Sequence, residues 1–241
     1  MGFFTRIKTW SKYFPLITIV MISFLFLCFY LQTKLSATDI NFNSLASFFS
    51  VSRGSVLTGH LGRLFTANLF HLNRGHLLSN IFGLLFFSSL LEITLGKPRV
   101  TIVILVSALG GTIGSILIHL VDWMVGSSTI LFGVFGGVGV LIFKYKRELG
   151  HHFITALISW CVSIIPLTTL GYLSMKIVDQ GAHVGGFVAG IITTLIIVHS
   201  SSVTDLHKPL GLKGKILLIV LLVSFGLSLI KEVLPLLPVF K

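Results

Sequence analysis

Apolar stretches free of charge divide the chain into seven windows, residues 13 to 33, 75 to 91, 100 to 121, 123 to 143, 153 to 175, 181 to 204 and 216 to 230. A helix needs ~20 predominantly apolar residues to cross a bilayer, so each window is predicted to hold one, the last least comfortably. That last block, Ile216 to Ile230, rises only about 22 Å at 1.5 Å per residue. It is expected either to continue past Lys231 and Glu232 or to lie at the interface. The longest connection, from Gln32 to about Asn68, mixes Phe42, Leu45, Phe48, Phe49, Val51, Leu57 and Leu61 with polar residues. This pattern predicts short helices half sunk in the outer leaflet.

Composition strengthens the reading. The chain is 54% hydrophobic and 10% charged, whereas soluble domains carry roughly 25% charged residues. The solvent for most of it is lipid, and 241 residues leave no room for a separate soluble domain. The net charge of +11 does not point to nucleic acid, because the basic residues stand singly between apolar blocks and form no stripe with interleaved aromatics. They read instead as topology signals. With the N-terminus inside, Arg6, Lys8, Lys12, Lys97, Arg99, Lys144, Lys146, Arg147, Lys208, Lys213 and Lys215 face Lys34, Arg53, Arg63, Arg74, Lys176, Lys231 and Lys241. That bias predicts a multi-pass protein with a cytoplasmic N-terminus. The first apolar block is too long for a signal-peptide core and lacks a small-residue cleavage site, so it is expected to remain as an anchor. Cys28 and Cys161 each sit in an apolar block, where a thiol behaves as a small hydrophobe.

Polar residues inside spans are expensive and normally face a partner. His76 and Asn80 stand four apart, hence on one helix face, with His71 five residues earlier. His183 opens the sixth block, with Gly186 and Gly190 on its face. Glycines also recur at Gly110, Gly111 and Gly114 and at Gly133, Gly136, Gly137 and Gly139, where they let helix backbones approach closely. Histidines and an asparagine on two glycine-lined helices could supply a general base and oxyanion donors for acyl transfer. No carboxylate or cysteine stands beside them at ligand spacing, and no metal or other cofactor is expected.

From about Gly59 to Val198 the chain resembles the rhomboid family of intramembrane serine proteases. GRLFTANLFHLNRGHLLSN resembles the family's WR motif followed by its HxxxxHxxxN motif, LLEITLGKPR its E-x-x-x-G-x-x-R turn, and GAHVGGFVAG its AHxxGxxxG helix. The resemblance implies an all-α bundle of six transmembrane helices, here with a seventh appended. It divides the chain into an anchor helix and loop start (residues 1–54), a core (55–200) and a loop with a C-terminal helix (201–241). It makes Arg63, His71 and Glu92 structural, gives His76 and Asn80 the oxyanion hole and makes His183 the general base.

Matched to the family's G-x-S-G motif, Gly133, Val134, Phe135 and Gly136 place a phenylalanine at the nucleophile. The aromatic that stacks on the catalytic histidine, four residues later, becomes Gly139, and the tryptophan of the WR motif becomes Gly62. Phenyl carbons cannot attack a carbonyl. Ser127 and Ser128 lie seven or more residues upstream of Phe135, ~10 Å along a helix, and are expected to cap it. The Phe135 ring is expected to fill volume vacated at Gly139. The leading expectation is therefore an inactive rhomboid-like protein that binds transmembrane segments of other proteins. The alternative is an active protease with an unrecognised nucleophile. A transporter is the third reading, and the chain lacks the inverted repeats and mid-membrane charges it requires.

Overall fold

The computed structural model describes residues 14–36, 49–118, 122–175, 178–199, 206 and 208–233. Arg6, Lys8, Lys12, Phe42, Leu45, Phe48, Lys176 and Lys241, on which the topology and interfacial expectations partly rest, lie outside the described residues. In chain order the helices are α1 (Leu16–Ser36), α2 (Arg53–Leu57), α3 (Arg63–Thr66), α4 (Arg74–Leu95), α5 (Lys97–Ile118), α6 (Ser128–Lys144), α7 (Lys146–Leu149), α8 (His152–Met175), α9 (Gln180–Val198) and α10 (Leu212–Glu232). Among the described residues, α1, α4, α5, α8, α9 and α10 are long and apolar enough to cross a membrane, and α6 is a shorter apolar helix of 17 residues. The protein is an all-α membrane bundle with a seventh apolar helix after the six of the core.

The last helix is longer than its charge-free run. It begins at Leu212, takes in Lys213 and Lys215 and ends at Glu232, and 21 residues rise about 31 Å. Its first turn follows Leu206 and Lys208, whose carbonyls accept from Arg99 Nη1 at the start of α5 (2.6 and 2.8 Å). Its last turn meets Gly62 and Arg63, just before α4. Because α4 and α5 form a hairpin, those contacts lie at opposite ends of the bundle. Of the two arrangements open to this segment, the longer helix is the one found: α10 is long and apolar enough to cross and reaches both ends of the bundle.

Polar residues close the helix ends. Glu92 accepts the backbone N–H groups of Ile17 and Thr18 (2.9 and 2.8 Å) and the Thr18 hydroxyl (2.8 Å), so a buried carboxylate of α4 satisfies the free donors that open α1. Gly96, at φ +80°, ends α4. Asn73 caps α4 by accepting the His76 N–H at 2.8 Å, and Asp179 caps α9 by accepting that of Ala182 at 2.9 Å.

At the centre of the bundle α5, α6 and α9 pack directly on one another, most extensively α5 on α9. A Cβ on Gly190 would lie 2.0 Å from the Gly133 carbonyl oxygen, one on Gly186 2.2 Å from that of Thr129, and one on Gly185 2.3 Å from that of Gly110. Lipid tails solvate apolar side chains as well as another helix does, so close backbone packing has to supply the attraction. Gly136 meets Phe187 and Ile191 in the same way. By contrast, α8 and α10 leave most of their surface exposed.

Gly190→Val is expected to destabilise the bundle by about 3 kcal/mol through overpacking. Gly226→Ala, at a position with nothing within 4 Å of the added carbon, is expected to be neutral. Thermal unfolding in one detergent compares them.

Candidate active site

The segment leading into α6 is clamped by the loop before α4. Val51 and Met124 exchange backbone hydrogen bonds (both 2.9 Å), and the Gly126 N–H donates to the Ala67 carbonyl at 2.9 Å. Thr129 Oγ1 bonds to Asn68 Oδ1. Gly126 has φ +123°, and a Cβ there would lie 2.4 Å from Cε1 of His76. Conformation and space both require glycine, and the His76 ring lies directly against the backbone just ahead of Ser127 and Ser128.

The two serines differ sharply. Ser127 is fully buried. Its hydroxyl and its backbone N–H both meet Nε2 of His71, at 3.1 and 3.4 Å. His71 is held from behind by Gln32, which donates to its carbonyl (2.9 Å) and accepts its N–H (3.2 Å). Burial, with His76 beside it, keeps the His71 imidazole well below its ordinary pKa range. The expectation that both hydroxyls cap α6 is corrected: Ser127 stands at the N-cap but makes no side-chain capping bond, because its hydroxyl is committed to His71. Ser128, the first residue of the helix, is partly exposed.

His71 and His76 meet edge to face, ring centroids 5.0 Å apart. Among the described residues, His71 Nδ1, His76 Nδ1 and Asn80 Nδ2 are buried without a hydrogen-bond partner. Such groups are rare because each costs about 1–3 kcal/mol. His76 and Asn80 share one face of α4, and their free nitrogens could serve a negatively charged oxygen.

His183 sits in the first turn of α9. Its N–H bonds to the Asp179 carbonyl at 3.2 Å, and Asp179 Oδ2 accepts from Ser115 of α5 at 2.5 Å. The ring that meets its imidazole is Phe132, with centroids 4.1 Å apart and planes within 16°. His183 borders two cavities. One of about 550 Å³ lies toward Thr168, Tyr172 and Gln180. The other, about 380 Å³, is an aromatic crevice along Phe132, Phe135, Trp160 and Phe187.

Phe135 lies one turn deeper on α6. Its ring stacks on Trp160 (4.8 Å, 15°) and meets Phe87 edge-on (5.1 Å, 85°), and its carbonyl accepts the Trp160 indole N–H at 2.9 Å. Trp160 also fills the notch at Gly139, where a Cβ would lie 2.6 Å from Cζ2. The expectation that Phe135 fills this volume is corrected: an indole from α8 does so, and Phe135 is the surface it rests on. Gly139 was matched to the aromatic that stacks on the histidine; the ring that does so is Phe132. Phe132, Trp160 and Gly126 were not singled out from sequence. The aromatic four residues after Ser128 was the available signal for Phe132, and nothing local marked Trp160.

The family model described as Rhomboid domain matches residues 58–200, more than half of the chain. No curated protein matches it. Phe135→Ala is expected to cost about 3 kcal/mol or more in stability, because it undercuts both Trp160 and Phe87. Denaturation of the purified protein, followed by Trp160 fluorescence, measures it.

Proposed function

We propose that this chain, which belongs to the rhomboid family, is an active intramembrane serine protease with Ser128 as nucleophile and His183 as general base. One observation carries the reading: the ring stacked on His183 is Phe132. In the family the stacking aromatic follows the nucleophile by four residues. Counting back four from Phe132 reaches Ser128, in the sequence Gly126-Ser127-Ser128-Thr129. The motif is then G-x-S-T, two turns ahead of the Gly133–Gly136 stretch that mimics it.

Residues four apart share a helix face, so Ser128 stands one turn above Phe132 on the side that meets His183. The helices run parallel here, with Thr129 against Gly186 and Gly133 against Gly190, which brings the start of α6 level with the start of α9. Ser128 is partly exposed and His183 borders the larger cavity, which leaves a route for water and a scissile carbonyl. Ser127 cannot take this role, being sealed from solvent and bonded to His71.

In the proposed reaction the Ser128 oxygen attacks the carbonyl carbon as His183 takes its proton, and His183 then returns that proton to the departing amine. Phe132 holds the imidazole plane. The partnerless nitrogens of His76 and Asn80 stabilise the oxyanion, where removing one preorganised donor typically costs about 10²–10³ in rate. Water then releases the acyl group. Thr129, where the family has glycine, is accommodated because a Cβ on Gly111 would meet its side chain at 2.3 Å; bulk gained on α6 is matched by bulk absent from α5. With the N-terminus cytoplasmic, the site opens on the outer side, and the substrates are transmembrane segments cut near their outer ends. Phe135 is packing, so its lack of a hydroxyl has no bearing on activity.

The competing pseudoprotease reading keeps the same fold and loses only the chemistry. Reconstituted in liposomes with a transmembrane substrate, the unaltered chain is expected to cleave, and Ser128→Ala or His183→Ala to abolish cleavage. Phe135→Leu is expected to keep it. Cleavage that survives Ser128→Ala would move the nucleophile to another residue, and a folded wild-type protein inert toward every transmembrane segment offered would return the chain to the inactive reading.

A further inference from the structure

Glu232 ends α10 in an environment that does not suit a carboxylate. Only 8% of its side chain is exposed. It lies at a helix C-terminus, whose partial negative charge repels an anion, and one oxygen, Oε1, is buried without a hydrogen bond among the described residues. Helix stability gives no reason for it. What it touches does. Its Oε2 lies 3.3 Å from Nδ1 of His60 and 3.6 Å from Nε of Arg63. A Cβ on Gly62 would sit 2.6 Å from Glu232 Cγ. Next to it, Lys231 Nζ donates to the Gly59 carbonyl at 2.8 Å, and two turns back Phe225 meets Phe65 edge-on, 6.0 Å between centroids.

Gly62 is the position at which the WR motif has lost its tryptophan, so the stem of Glu232 occupies space beside a missing indole. From there a continuous chain of contacts leads inward. Arg63 Nη1 donates to the Ser50 carbonyl at 3.3 Å, Val51 is paired with Met124, Ala67 holds Gly126, and Asn68 holds Thr129. Ser128 lies between those last two anchors.

We propose that Glu232 is a positioning residue: it replaces the absent indole, fixes α3 through Arg63 and His60, and by that route sets the segment that carries Ser128. The seventh helix is thus a working part of the site. The inference rests on the reading of Ser128 as nucleophile.

The test uses the full chain and the second-order rate of labelling by a fluorophosphonate, read beside thermal unfolding. Glu232→Ala is expected to slow labelling of the folded protein on the order of tenfold, since small misplacements of reacting groups are costly. Gly62→Trp alone is expected to slow it too, because the indole collides with Glu232. Combining Gly62→Trp with Glu232→Ala is expected to recover most of the rate, the ring refilling the space the carboxylate leaves. Single variants that label as fast as the parent while folded, or a double variant no better than the slower single, would overturn the inference and leave the nucleophile standing. A parent chain that takes no label at all removes the nucleophile and this inference with it.

Discussion

How near α9 can come to α5 and α6 governs everything at the site. Carbonyl oxygens of Thr129, Gly133 and Gly110 lie where side chains of Gly186, Gly190 and Gly185 would otherwise be, so the three helices meet backbone to backbone. In lipid this contact depends on fit, because no hydrophobic drive brings apolar helices together. The approach fixes the height of His183 against α6, and at that height its imidazole finds Phe132. A side chain at any of these glycines would lift the base away from the helix that carries Ser128.

Around that rigid seam the polar residues fall into two kinds. Some are fully engaged, as buried polar groups must be in a low-dielectric interior: Glu92 opens α1, Arg99 gathers the carbonyls ahead of α10, and Gln32 cradles His71. Others are buried with nitrogens that bond to nothing among the described residues: His76, whose ring lies against Gly126 just ahead of α6, and Asn80, one turn along α4. Unpartnered atoms also occur away from these two, at Ser107 Oγ and Thr194 Oγ1 among others, so it is the pairing of two free nitrogens on one face of α4 that suits a developing charge.

Most of the fold was legible in the chain itself, because the apolar windows and glycine rows are long-range patterns that lipid enforces. The spans, the loop before α4 and the three histidines that gather at the site all came from spacing alone. The serine proposed as nucleophile did not, for a physical reason. Gly126-Ser127-Ser128-Thr129 and Gly133-Val134-Phe135-Gly136 lie seven residues apart, two helical turns, so both put the same face toward α9. Periodicity cannot choose between two registers that share a face. The contact between Phe132 and His183 is what favours the earlier register, and it joins residues 51 apart in the chain. Trp160 was equally hidden, since an exposed-looking tryptophan on α8 gives no sign that Gly139 leaves room for it. The length of α10 stayed open because a charge-free window stops short of Lys213, Lys215, Lys231 and Glu232, which lie inside the helix.

The deciding measurement is peptide mapping by mass spectrometry after the native protein, in detergent or liposomes, has reacted with a fluorophosphonate. The adduct is predicted on Ser128 and to vanish when the protein is unfolded before treatment. An adduct on another hydroxyl, or none on correctly folded material, would contradict the assignment of Ser128 and His183 as a reactive pair.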